Sequence, residues 1–381
     1  MRLRILHVVS CLGMGGTEHG VLKIMRGLGH AEFEHQICAV RGVDDNFVRQ
    51  MRVPAKVSAV GRAEPGFQFP LFRLMQLMRE FRPHIVHTRN FGALEAIAAA
   101  RLARVPVAIH SEHGYELEIL GGLPLRRRFV CGALYAMADQ VCTVTRDLRV
   151  YHSEQSWLSP EKFRVIYNGV DTDLFSPRPE LAAALRSEIG IPMDRTVIGS
   201  VGRLVPIKDY KTLLHAAEIL VRQGKDVHVV IVGSGPELPK LQAYAAASRE
   251  LADRFLFLAA SSRVADLLNS MDVFVLPSIS EGMSNTILEA MATGLPVVVS
   301  RAGGNPELVE EGSVGGLFDP RDVEALAGHL SLLVDNRDLR REYGRAARQR
   351  AVDKFSLSGM VQQYRNIYVD LASSRGVWKG N

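Results

Sequence analysis

A loop that leads into a helix carries two glutamates, Glu281 and Glu289, with seven residues between them. Ser284 is a typical helix N-cap residue, so the helix is expected to begin directly after it and to leave the backbone N–H groups of Asn285 and Thr286 unpaired. Such N–H groups, together with the positive end of the helix dipole, bind phosphate. The two carboxylates would then contact other parts of the same ligand, for which sugar hydroxyls are suitable donors. Taken alone, Glu289 is equally well explained as a solvated or capping side chain.

Two cations lie on a second short loop, which follows another apolar run. Arg203 and Lys208 both belong to the segment 201–209, VGRLVPIKD. Two positive side chains on one loop suit a diphosphate whose negative charge grows as it leaves. Solvated surface cations are the ordinary alternative. The position of this loop at the carboxyl end of a predicted strand, like that of the glutamate loop, favours a shared anion site.

A glycine-rich turn joins the first predicted strand to the first predicted helix. Residues 11–18 are CLGMGGTE and include Gly15 and Gly16. Glycines allow a ligand to approach the backbone closely. The turn is similar to a dinucleotide-binding pattern but lacks the last glycine of G-x-G-x-x-G, so by itself it does not establish a nucleotide site.

His113 follows another predicted strand and precedes a glycine. In that setting the imidazole could face a bound sugar at the end of the sheet. Single histidines more often have a structural role, which is the interpretation for His7, His35, His84 and His87. The loop position of His113 favours a functional role for it.

These loops need elements that place them at one edge of a sheet. Short β-branched runs alternate with amphipathic segments along the chain, and Leu71, Leu74, Met75 and Met78 follow the spacing of one helix face. Strands that alternate with helices predict parallel sheets covered on both faces. The predicted strands are residues 4–10, 35–40, 56–60, 84–88, 105–110, 140–144, 163–167, 196–201, 227–232, 255–258, 273–276 and 297–300. The predicted helices of the first half are residues 17–27, 71–81, 93–103 and 125–138.

A stretch rich in turn formers and prolines, residues 168–179, interrupts this pattern and predicts a hinge. The sequence therefore predicts an α/β protein with two Rossmann-like, doubly wound parallel-sheet domains, residues 1–172 and 173–355. The last helical pattern, within residues 356–381, could pack on either domain. Because ligands of open α/β sheets bind beyond the carboxyl ends of the strands, the two domains are expected to face each other across a cleft.

The composition excludes several classes of protein. Of the 381 residues, 47% are hydrophobic and 23% are charged, as in globular proteins, and no apolar run approaches the ~18 residues that span a bilayer. The apolar start of the chain is short and runs into glycines, so it is interpreted as a first strand, and the protein is expected in the cytoplasm. The four cysteines show no C-x-x-C pairing, which supports neither a disulfide framework nor a zinc site. Asp171 and Asp173 form a D-x-D pattern in the hinge, where a metal is not expected.

Positive charge is concentrated in the first domain. Residues 1–172 contain 22 Lys and Arg against 16 Asp and Glu, whereas the remainder of the chain is close to neutral. A basic domain indicates an acidic partner. Arg126, Arg127 and Arg128, which are mixed with apolar residues, suit a peripheral contact with an anionic membrane surface. A solvated basic helix is the alternative.

With these residues assembled, the sequence resembles glycosyltransferase family 4, whose members have the GT-B fold. The most specific element is the E-x7-E motif from Glu281 to Glu289, within SEGMSNTILEAMATGLPVV. Supporting elements are GRLVPIKDY at residues 202–210, NGVD at 168–171, GGNPE at 303–307 and GGTE at 15–18. More narrowly, HTRNFGALEA at 87–96 and SEHG at 111–114 resemble the sugar transferases of exosortase-associated exopolysaccharide loci.

The resemblance implies a retaining transfer from a nucleotide-diphosphate sugar, in particular a UDP-sugar, without a cofactor or a required metal. The implied acceptor is a glycan or a polyprenyl-diphosphate-linked molecule of bacterial exopolysaccharide or cell-surface polysaccharide synthesis, reached from the cytoplasmic face of the inner membrane. Acceptor choice is expected to depend on loops of the first domain such as residues 116–124. In this family the last helix usually crosses back to the first domain.

The resemblance also assigns roles to individual residues. The implied catalytic residues are His113, Glu281, Arg203 and Lys208. The implied donor-binding residues are Gly15, Gly16, Gly282, Met283, Ser284, Asn285, Thr286 and Glu289. In these roles the two cations bind the diphosphate, Glu281 holds the donor sugar, Glu289 binds the ribose hydroxyls and His113 approaches the anomeric carbon.

Several other functions compete with this interpretation. A non-hydrolysing epimerase of nucleotide sugars shares the architecture, although the E-x7-E motif argues against it, and a non-catalytic nucleotide-sugar-binding protein also remains open. A nicotinamide dehydrogenase needs an acidic residue at the end of the second strand, where Val40, Arg41 and Gly42 stand instead. Nucleic-acid binding would rest only on the pI of about 9.1, since no stacking or basic-helix motif supports it.

Overall fold

A computed structural model describes residues 2–13, 15–51, 53–61, 70–115 and 122–379. The chain forms two compact units, here called the N-terminal unit (residues 1–168 and 357–381) and the C-terminal unit (residues 169–356). The division lies within the turn-rich stretch, four residues before the predicted end of the first domain at residue 172.

Within the described part of the chain, seven parallel strands form the sheet of the N-terminal unit. They are β1 (Leu3–Leu12), β2 (Phe33–Val43), β3 (Lys56–Ala59), β4 (Ile85–Arg89), β5 (Val107–Glu112), β6 (Gln140–Thr143) and β7 (Phe163–Val165). Their order across the sheet is β3-β2-β1-β4-β5-β6-β7. Both β4 and β5 are buried along their whole length, as expected for parallel strands covered on both faces.

Helices cover the two faces of this sheet. They are α1 (Gly16–Leu28), α2 (Asp45–Gln50), α3 (Leu71–Phe81), α4 (Phe91–Leu94), α5 (Ala96–Leu102), α6 (Leu125–Met137) and α7 (Arg146–Ser156). Along β1, Leu6 and Val8 pack with residues of α3, α5 and α6. Ile5 and Val9 pack with residues of α1 on the other face. The alternation is the two-residue period of a strand, which places successive side chains on opposite faces.

The C-terminal unit repeats this arrangement. Its strands are β8 (Thr196–Val201), β9 (Val227–Val232), β10 (Phe255–Leu258), β11 (Val273–Leu276), β12 (Val297–Ser300) and β13 (Gly315–Phe318), in the order β10-β9-β8-β11-β12-β13. Its helices are α8 (Pro179–Glu188), α9 (Tyr210–Arg222), α10 (Leu238–Ala247), α11 (Val264–Asn269), α12 (Asn285–Ala292), α13 (Asn305–Leu308), α14 (Val323–Asp335) and α15 (Arg337–Phe355). All the strand pairs are parallel.

The last helix, α16 (Leu357–Ser374), belongs to the N-terminal unit. Val361 and Tyr368 of α16 lie in one hydrophobic cluster with Leu3 and Ile24. A Cβ on Gly27 of α1 would come within 2.6 Å of Val361 Cγ2, so glycine allows the two helices to approach closely. Among the helices that the structure describes, none is long and apolar enough to cross a membrane.

Two local expectations were wrong. The predicted helix 93–103 is divided into α4 and α5 around Glu95. The pattern also missed β13, which begins with two glycines, a residue type depleted in strands. A Cβ on Gly315 would lie 1.7 Å from the carbonyl oxygen of Val297 in β12, so close pairing with the neighbouring strand requires glycine there. Tertiary contact, not local propensity, forms this strand.

Candidate active site

Two of the predicted loops meet at the edge of the second sheet. They follow β8 and β11, which are neighbours at the point where the strand order reverses, the usual ligand position of such sheets. The backbone N–H of Ile279 donates to the carbonyl oxygen of Ile207 at 2.8 Å. Lys208 Nζ donates to Glu281 Oε1, and the hydroxyl of Ser278 donates to the same oxygen at 2.6 Å. The loop with the cations and the loop with the glutamate therefore form one site.

The site leaves specific groups available for a ligand. Lys208 and Ser278 both bind Oε1 of Glu281. The other carboxylate oxygen, Oε2, has no hydrogen-bond partner among the described residues. Arg203 is exposed, and its guanidinium likewise makes no hydrogen bond or ion pair within the described ranges. A carboxylate oxygen and a guanidinium on adjoining loops can bind a hydroxyl group and a phosphate of one molecule.

Glycines on the loop after β9 allow the backbone to pack directly on the cation loop. A Cβ on Gly233 would lie 1.9 Å from the carbonyl oxygen of Gly202, and a Cβ on Gly235 would lie 2.2 Å from that of Leu204. Gly235 also has φ +156°, a value that side chains disfavour. These two glycines support the position of Arg203, and the pattern G-S-G after a strand was a signal that the sequence interpretation did not use.

Helix α12 begins where the sequence predicted. Ser284 is the N-cap, and its Oγ accepts from the backbone N–H of Ile287 at 3.5 Å and lies 3.1 Å from Thr286 Oγ1. Asn285 and Glu289 are four residues apart and therefore lie on the same face of the helix. Both are half-buried.

The backbone before α12 is held by the glycine turn after β12. The N–H of Gly304 donates to the carbonyl oxygen of Gly282 at 3.1 Å and lies 3.4 Å from that of Glu281. Met283 is buried beside them. The GGNPE segment therefore positions the E-x7-E loop.

In the N-terminal unit, one asparagine connects three strand-end segments. Asn90 Nδ2 donates to Thr17 Oγ1 at 3.1 Å, and Asn90 Oδ1 accepts from the backbone N–H of His113 at 3.0 Å. Thr17 lies directly after Gly15 and Gly16, where α1 begins without a side-chain cap. Asn90 has φ +57° and ψ 164°, a conformation that is nearly restricted to glycine and is found at functional sites. The sequence interpretation missed Asn90, because the residues just before Phe91 show no turn pattern that would have indicated this unusual backbone conformation.

His113 is uncharged at neutral pH. Its pKa is lowered from 6.5 to about 3, mainly by burial and then by the Arg89 guanidinium, while the Glu112 carboxylate raises the pKa by a smaller amount. Its Nε2 atom is buried and has no hydrogen-bond partner among the described residues. A neutral imidazole with an unpaired nitrogen can donate a hydrogen bond to a sugar hydroxyl or accept one from it, depending on the tautomer.

Behind this loop lies a buried polar chain. Arg89 is almost fully buried, and its guanidinium lies 3.1 Å from His7 Nδ1 and 3.4 Å from His87 Nδ1. His7 in turn contacts His35 at 3.0 Å, and His87 contacts the hydroxyl of Tyr368 in α16 at 2.6 Å. These histidines have the structural role that the sequence suggested, and the arginine that connects them was missed.

A pocket of about 490 Å³ lies at the carboxyl edge of the first sheet, within the N-terminal unit. Its lining includes Ser10, Thr17, Arg41, Asn90, Phe91, Gly92, Glu112, His113, Gly114, Tyr115 and Arg127. The predicted acceptor loop, residues 116–124, adjoins this lining in sequence, but its residues 116–121 lie outside the described residues. The pocket thus collects His113 and Asn90 with two guanidinium groups.

The three arginines of α6 have different environments. Arg126 is exposed, whereas the Arg127 guanidinium lies 3.9 Å from the centre of the Phe91 ring. Arg128 donates to the carbonyl oxygens of Gln155 at 3.0 Å and Glu154 at 2.7 Å, which stabilises the last turn of α7. The cluster is therefore not a uniform solvent-exposed basic surface.

The D-x-D carboxylate in the hinge has local partners. Asp171 Oδ1 accepts from the backbone N–H groups of Asp173 at 3.1 Å and Leu174 at 3.0 Å. This is the geometry of an Asx turn. The pattern is accounted for by the turn that it forms.

Comparisons with known proteins identify the family. Residues 14–174 match the family described as Glycosyltransferase Family 4, and residues 182–350 match Glycosyl transferases group 1. Alpha-maltose-1-phosphate synthase from Mycolicibacterium smegmatis is 32% identical over 273 residues, which cover 67% of this chain and 69% of that protein. The chain belongs to glycosyltransferase family 4.

Other comparisons extend over nearly the whole of this family 4 glycosyltransferase. UDP-Gal:alpha-D-GlcNAc-diphosphoundecaprenol alpha-1,3-galactosyltransferase from Escherichia coli is 28% identical over 387 residues, 98% of each chain. The crystal structure of HepE from Anabaena in complex with UDP has a TM-score of 0.84 at 22% identity and covers 96% of this chain and 99% of that chain. Together with the two parallel sheets, these findings confirm the predicted GT-B fold of two Rossmann-like domains.

Proposed function

We propose that the protein is a retaining glycosyltransferase that moves a sugar from a UDP-sugar to a glycan or polyprenyl-diphosphate-linked acceptor in bacterial exopolysaccharide or other cell-surface polysaccharide synthesis. The observation that carries the proposal is the hydrogen bond from Lys208 to Glu281, which joins two strand-end loops beside the start of α12. The E. coli relative is named for a UDP-galactose donor and a diphosphoundecaprenol-linked acceptor, and the HepE structure contains UDP. These names support the donor and acceptor classes chosen here.

In the proposed reaction, an acceptor hydroxyl oxygen bonds to the anomeric carbon while the bond from that carbon to the β-phosphate oxygen breaks. The hydroxyl proton passes to a phosphate oxygen of the departing UDP, so the products are UDP and a lengthened glycan. Negative charge gathers on the diphosphate. Arg203, Lys208 and the backbone N–H groups of Asn285 and Thr286 stabilise that charge in the transition state.

The remaining site residues hold the donor. Glu281 Oε2 accepts a hydrogen bond from a hydroxyl of the transferred sugar, with Gly282 and Met283 shaping the backbone around it, and Glu289 accepts from the ribose. Gly16 of the N-terminal unit is assigned to the phosphates of the donor. His113 hydrogen-bonds the sugar near the anomeric carbon as a neutral imidazole, since its pKa is about 3.

We place the proposed membrane contact on the apolar face of α6. Leu125 and Phe129 are exposed, Trp157 packs on Phe129 with 4.8 Å between ring centres, and Arg126 is exposed beside them. Aromatic and aliphatic side chains with a cation suit the surface of an anionic bilayer at the cytoplasmic face. Phe129→Ser should reduce flotation with phosphatidylglycerol vesicles, whereas Phe72→Ser, which changes a still more exposed phenylalanine of α3, should not. Equal flotation of both variants would refute this surface.

The function is tested by nucleotide release from UDP-, GDP- and ADP-sugars, with and without a bacterial lipid extract and with EDTA present. We expect release from one UDP-sugar, stimulated by lipid, unaffected by EDTA, and lost in Glu281→Ala but kept in Glu324→Ala, which changes an exposed glutamate of α14. Retention is checked by the anomeric configuration of the product. Conversion of the donor to its epimer without release would instead make the protein an epimerase, and binding without turnover would make it a sugar-nucleotide-binding protein.

A further inference from the structure

Among the described residues, the lining of the pocket in the N-terminal unit carries more positive than negative charge. Arg41, near the end of β2, and Arg127, in the first turn of α6, both line it. Glu112 is the one carboxylate in the described lining, and it is buried beneath the surface. Two guanidinium groups against one carboxylate favour an anionic ligand.

The Glu112 carboxylate is already bound by neighbouring side chains. Its Oε1 accepts from the hydroxyl of Tyr135 at 2.7 Å and lies 2.9 Å from His110 Nε2. Although burial by itself raises the pKa of Glu112, the charges of His152 and His110 and these hydrogen bonds outweigh it and lower the pKa to about 2. The carboxylate is therefore a fixed, internally bound anion, and Arg41 and Arg127 are the cationic side chains of the described lining.

The Arg127 guanidinium is held in place before any ligand arrives. Its position 3.9 Å from the centre of the Phe91 ring is that of a cation–π contact. Phe91 follows Asn90, whose side chain bonds to the loop with His113. A stacked, planar guanidinium loses little freedom when it binds a phosphate through two N–H groups.

Two buried polar atoms in the lining have no hydrogen-bond partner among the described residues. They are the hydroxyl of Tyr115 and the Nε2 atom of His113. The Tyr115 ring is fixed by an edge contact with Tyr151, with 5.1 Å between ring centres. Because buried polar groups are normally paired, these two atoms indicate a ligand with hydroxyl or other uncharged polar groups.

Taken together, these groups describe a ligand with an uncharged polar part beside Tyr115 and a phosphate beside the arginines, while His113 keeps its proposed role at the donor sugar. We infer that this pocket binds the acceptor and that Arg41 and Arg127 bind the diphosphate that joins the acceptor sugar to its lipid. The inference rests on the proposed function and names Arg41 and Arg127 as the residues that make the enzyme select a diphosphate-linked acceptor. A sugar–diphosphate–lipid is then preferred over the same sugar attached to the lipid directly.

The test compares two soluble probes, an alkyl-diphosphate-linked N-acetylglucosamine and the alkyl N-acetylglucosaminide without phosphate. Titration calorimetry of the full chain without any donor should show binding of the first probe and at least roughly tenfold weaker binding of the second, as expected for charged hydrogen bonds. Arg41→Gln and Arg127→Gln should each weaken binding of the diphosphate probe by roughly tenfold or more and leave that of the alkyl glycoside unchanged. Arg79→Gln, which changes an exposed arginine of α3, is the matched control.

The source of the phosphate is distinguished by titrating UDP in parallel. Unchanged UDP affinity in both variants supports the inference, whereas a loss of UDP affinity alone would move the arginines to the donor and overturn it. Equal binding of the two probes by the unchanged protein would also overturn it. If the diphosphate probe binds as expected but no UDP-sugar supports transfer, the proposed function fails while the pocket assignment stands. Arg41 is exposed, so Arg41→Gln keeps the test valid if Arg127→Gln disturbs folding.

Discussion

The two units share one sheet topology but position their functional groups in different ways. In the N-terminal unit, polar side chains are buried in the sheet itself, where Arg89 and three histidines contact one another beneath the loop of His113. In the C-terminal unit, the strands are almost entirely apolar, and the charged groups lie on loops joined by the contact between Lys208 and Glu281. A buried polar layer gives rigidity at the cost of sensitivity to protonation, while a loop-borne ion pair is open to a charged ligand.

The largest expected effect concerns the loop-borne pair. Lys208→Ala should lower turnover by roughly 10²–10³-fold, because it removes a positive charge from the leaving diphosphate and one of the two hydrogen bonds that Glu281 Oε1 accepts. Lys211→Ala, which changes an exposed lysine of α9, should leave turnover unchanged. The measurement is the rate of UDP release at saturating donor. If the rate of UDP release fell by less than about threefold, Lys208 and Glu281 would not be the main catalytic groups of the C-terminal unit.

The second prediction concerns acid stability and sharpens the comparison of the units. Among the described residues, burial lowers the pKa of seven histidines in the N-terminal unit, including His35 to about 4 and His113 to about 3, and it lowers the pKa of His228 in the C-terminal unit. The unfolded chain binds these protons near pH 6.5 and the folded chain binds them only at lower pH, so stability is lost as the pH falls below about 6.5. We expect the midpoint of thermal unfolding of the N-terminal unit to fall by roughly 10 °C between pH 7 and pH 5.

Tryptophan fluorescence can follow this unit selectively, because both tryptophans, Trp157 and Trp378, belong to it. Calorimetry of the same samples reports both units. If the midpoint detected by fluorescence shifts no more with pH than the calorimetric transition of the C-terminal unit, the N-terminal unit is not the more acid-sensitive of the two.

The smallest expected effect concerns Asn90. Asn90→Ala should reduce turnover by roughly tenfold, because the loops of Thr17 and His113 lose a shared positioning partner. Asn90→Gly relieves the strained φ of +57° but removes the same hydrogen bonds, and Asn90→Asp keeps an acceptor for the N–H of His113 while losing the donor to Thr17. If the bonds matter, the glycine variant is as slow as the alanine variant although it is more stable. Full activity of the glycine variant would assign only a backbone role to this position.

Sequence patterns were most informative where function depends on a local signal. The helix start at Ser284 and the cation loop with Arg203 follow strands whose predicted bounds, 196–201 and 273–276, equal those of β8 and β11. By contrast, Arg89 stands within an ordinary buried strand, and no feature of its neighbours indicates a polar chain with His7. Gly233 and Gly235 were missed for a similar reason, since their importance lies in carbonyl groups of another loop that approach them.

Neighbouring residues were enough to predict most strands and the loops that follow them, because the two-residue and 3.6-residue periods of apolar side chains are local properties of the chain. Which of those loops meet depends instead on how the strands are ordered in the folded sheet. Lys208 and Glu281 are 73 residues apart in the chain, as are Asn90 and Thr17. Arg41 and Arg127 line one pocket although they are also far apart in sequence. Such partners come together because parallel strands that are distant in the chain lie side by side in the sheet, so that their carboxyl ends form a single edge.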